Sequence, residues 1–344
     1  MKKTIGKFFA FETRVINLSL QSGLLSGLVA LTYVWLRPPT VDLIVMLLGI
    51  FIGALTHTTG LPGNPVRSLK FGALVAVTAA ITTALGSACG FSLVATSIGL
   101  VLLIPIIGFS CGSDPLLATC VLFTVDMFII GSGVAAAWPQ ALMYGVYFCA
   151  GGLLLSLVIW IASPRHSLQS QTALPSAQMR LNTIFDNNSE YRHFAFLLTI
   201  AVLIGNFISY HYQLPQGYWI PMTAMLILKS DLLASKKRIS HRLYGTLAGS
   251  VLALVVIVFV TNQVLLSLLF IPVVALIVIA VASHYGAYTF FLTIMITIML
   301  NLIHPDGYVI TEHRVLDTLI GIIAVIVTLG IVRPFVIKFL TSAK

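Results

Sequence analysis

Charged residues are scarce in this sequence. Lys, Arg, Asp and Glu make up 8% of its 344 residues, and apolar residues make up 58%, whereas ordinary soluble domains carry about 25% charged residues. This composition excludes a chain built of ordinary soluble domains. Acidic residues are the rarer kind, 10 against 19 basic ones. The net charge of +9 is explained by basic membrane loops facing anionic lipid headgroups, so it does not indicate a nucleic-acid partner.

Cysteine is also rare, and the familiar catalytic motifs give no lead. The four cysteines form no CxxC pair and no Cys/His ligand set, so the sequence predicts neither a disulfide nor a metal site. It contains no glycine-rich phosphate loop of the GlyLysSer or GlyLysThr type and no HisGluxxHis motif. We therefore expect no catalytic residues, no cofactor and no ATP-driven transport by this chain alone.

What the sequence does have is about twelve long apolar stretches. Most are long enough to cross a bilayer core of about 30 Å as a helix of roughly 20 residues. The first lacks a small-residue cleavage site and is therefore interpreted as a retained span. The sequence predicts an all-α polytopic membrane protein with about twelve transmembrane helices. The stretches lie near 17–36, 40–57, 71–88, 92–109, 115–133, 138–162, 193–210, 217–228, 243–261, 263–282, 286–303 and 314–333.

The basic residues indicate how the chain is oriented. With the amino terminus placed in the cytoplasm, 17 of the 19 Lys and Arg residues lie on the cytoplasmic side, and only Arg37 and Arg314 lie outside. Cytoplasmic loops of membrane proteins carry such an excess of positive charge. We therefore predict a multi-pass protein of the bacterial inner membrane with both termini in the cytoplasm.

One polar segment interrupts the apolar pattern. Residues 163–192 are rich in loop-forming residues and are interpreted as a cytoplasmic linker, in which 177–186 form a short amphipathic helix on the membrane surface. The linker separates a first six-span segment, 1–162, from a second, 193–344.

The two six-span segments resemble a diverged internal repeat. The third span of each opens with an aromatic residue and a glycine, as Phe71-Gly72 in one and Tyr244-Gly245 in the other. Six spans per segment give the two repeats parallel topology, an architecture common among transporters. A chance match between apolar segments is the alternative.

The densest polar pattern surrounds the inner end of the eighth span. Lys229, Arg238 and Arg242 follow that span, and the two arginines are four residues apart, which places them on one helical face. One interpretation is an anchor that follows the positive-inside rule. The other is a cytoplasmic mouth, because clustered cations raise the local concentration of an anionic substrate.

Carboxylates within the apolar stretches are the remaining candidates for chemistry, because a charge in the membrane is costly. Asp126 lies near the middle of the fifth span. It either carries a coupling proton or only bonds between helices. Asp317 follows Arg314 by three residues, so the two either pair structurally or form an external gate.

Other polar and aromatic residues have simpler explanations. Asp42 fits the membrane interface and Asp114 a helix cap. Asn206 and Asn301 either bond across helices or contact a substrate. An aromatic cluster near the outer surface is explained either by an interfacial belt or by stacking on an aromatic acid. This cluster comprises Tyr210, Tyr212, Tyr218 and Trp219.

Taken together, the motifs of the second half resemble those of the FUSC family. The resemblance is carried by TyrTrpIlePro at 218–221, LeuLysSerAsp at 228–231, the basic segment up to Gly249, and ArgValLeuAspThrLeuIleGly at 314–321. That family includes fusaric acid resistance proteins and aromatic carboxylic acid exporters, with plant malate channels as distant relatives. The resemblance implies an inner-membrane exporter of small organic acids or amphipathic toxic compounds, driven by the proton gradient and assisted by a periplasmic membrane-fusion adaptor.

The resemblance carries over to single positions of this chain. This chain departs from larger family members in two ways. Its linker has about 30 residues, where many of them have a cytoplasmic domain, and its first half lacks the charged motif. The matching positions are Trp219, Pro221, Lys229, Asp231, Arg238, Arg242, Gly245, Thr246, Gly249, Arg314, Asp317, Thr318 and Gly321.

These observations predict a transporter of small organic anions, with the lipid bilayer around it. Lys229, Arg238 and Arg242 attract the anion, Asp126 carries the proton, and Arg314 with Asp317 belongs to an outer gate. Trp219 is expected in the same pathway. A passive anion channel and a membrane subunit that anchors a partner are the two alternatives.

Overall fold

A computed structural model describes residues 13–36, 42–59, 65–111, 115–162, 189–303 and 307–335. Within these ranges the chain forms twelve α-helices and no β-strand, and α12 continues into a π-helical turn, Thr328–Val332. The helices are α1 Thr13–Leu36, α2 Asp42–Thr59, α3 Pro65–Cys89, α4 Leu93–Ser110, α5 Pro115–Gly133, α6 Trp138–Ala162, α7 Ser189–His211, α8 Trp219–Ile227, α9 Leu232–Phe259, α10 Gln263–Ser283, α11 Tyr285–Ile303 and α12 Gly307–Val327.

Most of these helices are suited to a membrane. Among the described residues, nine are long and apolar enough to cross one, and α2 and α5 contain shorter apolar helices. The prediction of an all-α polytopic membrane protein is therefore confirmed. The predicted helix at 177–186, the predicted cap Asp114 and the external Arg37 lie outside the described residues.

Side chains at the helix ends explain several boundaries. Ser92 accepts a hydrogen bond from the backbone N–H of Ala95 at the start of α4, and Asn262 accepts two at the start of α10. Asp231 accepts hydrogen bonds from the N–H groups of Leu233 (3.2 Å) and Ala234 (2.9 Å) at the start of α9. These side chains satisfy N–H groups that have no partner within the helix.

The helices group into two compact units, and the first comprises Met1–Ala80, Met143–Gln171 and Tyr244–Glu312. Its most extensive packing is between α1 and α10. The buried ring of His57 joins three of its helices, because its two nitrogens lie 2.9 Å from Ser68 Oγ and 3.1 Å from Ser156 Oγ. Its ring is therefore part of the unit's interior.

The second unit comprises Ile81–Leu142, Thr172–Leu243 and His313–Lys344. In it α4 packs along α7, and α8 packs against α7 and α5. Asn206 of α7 donates a hydrogen bond to Ser97 Oγ of α4 (3.1 Å), so the predicted bond across helices is present. Each unit contains segments from both predicted six-span halves, and the repeat itself stays a prediction.

Candidate functional site

The short helix α8 is the centre of the second unit's polar interior. All nine of its residues, Trp219–Ile227, are buried. At about 1.5 Å per residue it covers less than half of a bilayer core of about 30 Å. The chain enters it through a non-helical turn and leaves it at Leu228, which is extended. Irregular backbone at membrane depth is tolerated where it is buried in protein or lines a cavity.

Trp219, the first residue of α8, supports an arginine. The guanidinium carbon of Arg314 on α12 lies 3.7 Å from the centroid of the indole ring. Only 3% of Trp219 and 1% of Arg314 are exposed. A desolvated guanidinium over a Trp face is stabilised by about 2 kcal/mol. Burial of this kind disagrees with an interfacial aromatic belt for Trp219.

Thr223, one turn later on α8, contacts the second arginine. Arg242 of α9 donates a hydrogen bond from its terminal nitrogen to Thr223 Oγ1 (3.4 Å). The carboxyl group of Asp126 on α5 interacts electrostatically with the same guanidinium. Trp219 and Thr223 are four residues apart and therefore lie on one face of α8. This face contacts both arginines.

Helix α12 contributes a second polar face. Asp317 and Thr318 are buried, and Asp317 interacts electrostatically with Arg314. Gly321 lets α12 approach α8 closely, because a Cβ at this position would lie 2.8 Å from Thr223 Cβ and 2.9 Å from the carbonyl oxygen of Ile220. Small residues permit such approach between membrane helices.

These contacts define the arginine cluster, a group of buried polar side chains on α5, α8, α9 and α12. Its two carboxyl and two guanidinium groups balance in charge, yet several polar atoms have no hydrogen-bond partner among the described residues. An unsatisfied buried polar group costs about 1–3 kcal/mol, and more when it is charged. The cluster comprises Asp126, Trp219, Thr223, Arg242, Arg314, Asp317 and Thr318. The unsatisfied atoms are Asp126 Oδ1, Trp219 Nε1, Arg242 Nε, Asp317 Oδ2 and Thr318 Oγ1.

Positive charge gathers at the carboxyl end of α8. Half-buried Arg238 donates a hydrogen bond to the carbonyl oxygen of Leu226 (3.3 Å). Burial and the nearby charge of Arg238 lower the pKa of Lys229 to about 8. The backbone between Lys229 and Asp231 is fixed by Ser235, whose hydroxyl accepts a hydrogen bond from Lys229 N–H (2.9 Å). We call Lys229 and Arg238 the inner cations.

A cavity of about 300 Å³ lies at the amino end of α8. We call it the vestibule. Among the described residues that line it there is no Lys, Arg, Asp, Glu or His, and its polar groups are hydroxyls, amides and backbone. Its lining residues are Gly90, Ser132, Gly133, Ala135, Asn206, Ser209, Tyr210, Gln213, Leu214, Gln216, Gly217 and Tyr218.

The structure divides the residues that the sequence singled out. Arg242 lies in the arginine cluster with Asp126. It is one helical turn beyond Arg238 on α9, and it is buried where Arg238 is half-buried. Lys229 and Arg238 remain together. Thr223 was missed, although its spacing of four from Trp219 in the same motif was a signal for it. The vestibule was also missed, because its lining residues come from separate parts of the chain.

The part of the chain that matches known proteins contains most of the arginine cluster. The profile of the fusaric acid resistance protein-like family matches residues 203–328, which include all of α8, α9 and α12. The resemblance to the FUSC family is therefore confirmed there, and Asp126 lies outside the matched residues.

Several bacterial proteins are similar to part of the chain. The uncharacterized protein slr1298 of Synechocystis sp. is 29% identical over 156 residues, 45% of this chain and 20% of that protein. Inner membrane protein YccS of Escherichia coli is 26% identical over 152 residues, 44% of this chain and 21% of YccS. The uncharacterized protein YhfK of the same organism is 32% identical over 126 residues, 36% of this chain and 17% of YhfK.

The matched stretches thus span about a fifth of the length of these relatives. No solved structure matches the chain. The apolar helices of the described residues are those of a multi-pass membrane protein, and the relative YccS is named as an inner membrane protein.

Proposed function

We propose that this protein exports small organic anions, aromatic carboxylates above all, from the cytoplasm through the second unit. The inner cations gather the anion, and the arginine cluster binds its carboxylate. The uncharged vestibule receives it afterwards. Both termini are cytoplasmic in this proposal, so the inner cations face the cytoplasm.

One observation carries the proposal. Arg242 and Arg314 are each 1% exposed, and both contact the nine-residue helix α8 within one turn of each other. Ionisable residues inside membrane helices are rare and mark ion or substrate pathways. Guanidinium groups bind carboxylates with paired hydrogen bonds, so the substrate class follows from the chemistry of the cluster.

The interaction of Asp126 with Arg242 gives the site a mechanism for release. A substrate carboxylate and the Asp126 carboxylate compete for the same guanidinium. Protonation of Asp126 leaves Arg242 to the substrate, and ionisation of Asp126 favours expulsion of the substrate. Binding of the anion and binding of a proton to Asp126 therefore promote each other, as linkage requires.

The membrane potential supplies a driving force for such export. A cytoplasm that is negative by 100 mV favours the exit of a monoanion by about 2.3 kcal/mol. This drive acts only if the substrate leaves without the Asp126 proton. A proton gradient is the other source of energy, implied by the family resemblance. It drives export only if protons enter as the anion leaves, which is the opposite of co-binding of the anion and a proton at Asp126, so the two mechanisms are separable by experiment.

Flux in proteoliposomes tests the proposal. A labelled aromatic carboxylate is followed with an imposed potential, an imposed pH gradient or neither. We expect Arg242→Gln and Arg314→Gln to reduce flux by about tenfold or more, because each loses at least about 1.4 kcal/mol of anion binding. Exposed Arg192 on α7 supplies the matched control Arg192→Gln, which is expected to transport normally.

The outcomes of this experiment are distinct. Flux that follows the potential supports export of the bare anion, and flux that collapses with the pH gradient supports proton drive. Conduction of the anion at rates far above carrier turnover would replace the exporter with a channel. Normal flux in both cluster variants would contradict the proposal.

A periplasmic membrane-fusion adaptor stays part of the proposal through the family resemblance alone. If the adaptor is required, purified protein is expected to bind the carboxylate without moving it across the bilayer. Binding measured by quenching of Trp219 fluorescence, combined with absent flux, would identify that case. Absence of both binding and flux would favour the role of a membrane anchor.

A further inference from the structure

The vestibule and the arginine cluster differ sharply in charge. None of the residues that the structure describes in the vestibule wall is charged, whereas the cluster holds four ionisable groups. A carboxylate that reaches the vestibule finds hydroxyl and amide donors but no cation, so it is held far more weakly than on two guanidinium groups. Whatever stands between the two compartments therefore controls release of the anion.

The side chain of Tyr218 occupies that position. It lines the vestibule, and its ring centroid lies 4.9 Å from that of Trp219. The ring of Trp219 also contacts the guanidinium of Arg314. Tyr218 also interacts electrostatically with Arg314 and Asp317, so it borders both compartments.

A glycine provides the space for this ring. A Cβ at Gly133, at the end of α5, would collide with the ring of Tyr218. Gly133 itself lines the vestibule. Only a residue without a side chain leaves room for the tyrosine ring at this point of the vestibule wall.

The turn before Tyr218 is held in an unusual backbone conformation. Gln213 and Gln216 have φ angles of 48° and 58°, in the left-handed region that residues other than glycine rarely adopt. Such conformations persist only where the surrounding structure imposes them, and they concentrate at functional sites. Both glutamines line the vestibule, and Tyr218 directly follows this turn.

We propose that the Tyr218 ring is the gate between the arginine cluster and the vestibule, and that the vestibule is a low-affinity release site for carboxylates. The inference rests on the proposed function for its substrate. Its physical claim, that Tyr218 limits access to the cluster from the vestibule, holds independently of transport. Gly133 is the positioning residue of the gate.

Thiol labelling tests this claim. The four native cysteines are replaced by alanine, Asp317 is replaced by cysteine, and the protein is reconstituted in nanodiscs. The probe is an anionic methanethiosulfonate reagent. We expect slow labelling while Tyr218 is present and labelling faster by about tenfold or more in Tyr218→Ala, which corresponds to at least about 1.4 kcal/mol of barrier. Tyr218→Phe retains the ring and is expected to label slowly.

Two further variants complete the test. Gly133→Ala displaces the ring while leaving Tyr218 in place, and it is expected to accelerate labelling as well. Gln213→Cys reports on the exposed vestibule and is expected to react rapidly in every background. Both variants keep the test informative if Tyr218→Ala fails to fold.

The result that overturns the gate is specific. Equal labelling of Asp317→Cys with and without the Tyr218 ring, while Gln213→Cys reacts normally, shows that the ring is not the barrier. Normal flux in Arg242→Gln with ring-dependent labelling would reject the transport proposal and retain the gate. The two proposals therefore fail by different measurements.

Discussion

The guanidinium of Arg314 stacks on the face of Trp219, 3.7 Å from the ring centroid, with both side chains buried. The stack joins α12 to the first residue of α8. The ring centroid of Tyr218 lies 4.9 Å from that of Trp219. Under the proposed function, this residue pair combines structural support of the two helices with binding of the anion.

Substitution of Trp219 tests that combination. We expect Trp219→Ala to lower the free energy of unfolding by about 3–5 kcal/mol through the lost core volume. Trp219→Phe keeps a π face and is expected to retain most of the stability. Thermal unfolding in nanodiscs measures both. Trp138, which is exposed, supplies the control Trp138→Ala, and equal losses at the two sites would contradict the role of the stack.

Substitution of Asp126 tests the competition for Arg242. Asp126→Asn cannot ionise, so it cannot expel a carboxylate from the guanidinium. We expect this variant to bind the anion at least as tightly as the parent and to lose the pH dependence of transport while its fold is preserved. Binding and flux measured across a pH series check this expectation. An unchanged pH dependence of flux would remove the proton role from Asp126.

The pH dependence of anion capture tests Lys229 separately. Burial and Arg238 lower the pKa of Lys229 to about 8, so the ammonium is charged below that pH and neutral above it. We expect initial uptake into inverted vesicles to fall as the pH rises through about 8. Lys229→Arg stays charged and is expected to abolish this decline, since guanidinium pKa values exceed about 12. Persistence of the decline in Lys229→Arg would assign it to another group.

How far the sequence predicts this site depends on the kind of information required. The apolar stretches and basic loops predict helix number and fold class, since hydrophobic length alone determines a span. The motifs locate Trp219, Arg242 and Arg314. They do not give the depth of Arg242, because spacing of four places it on the face of Arg238 without saying where α9 enters the interior. The vestibule depends on tertiary packing and on left-handed φ angles at two glutamines, neither of which has a local sequence signal.

A second motif residue illustrates the same limit. Asp231 matches the family pattern, and the sequence alone suggests a charged pathway residue as readily as a structural one. In the structure its carboxylate accepts hydrogen bonds from Leu233 and Ala234 N–H. We expect Asp231→Ala to lower the free energy of unfolding by about 0.5–2 kcal/mol, the usual cost of a lost cap. Asp231→Asn retains the cap and is expected to be stable, with normal flux per folded molecule. Lost flux in a stable Asp231→Asn protein would assign the carboxylate to the pathway.

The contact between α8 and α12 makes the sharpest prediction about packing. A Cβ at Gly321 would lie 2.8 Å from Thr223 Cβ and 2.9 Å from Ile220 O, too close for either helix to remain in place. Gly321→Ala is therefore expected to separate the helices, to destabilise the protein by about 1–3 kcal/mol and to displace Thr223 from Arg242. Gly330, in the π-helical turn, has nothing within 4 Å of its Cβ position, so Gly330→Ala is the matched control.

Thermal unfolding and anion binding check both variants, and because Thr223 orients Arg242, we expect binding to fall only in Gly321→Ala. Equal effects of the two alanines would show that the close approach of α12 to α8 does not maintain the arginine cluster.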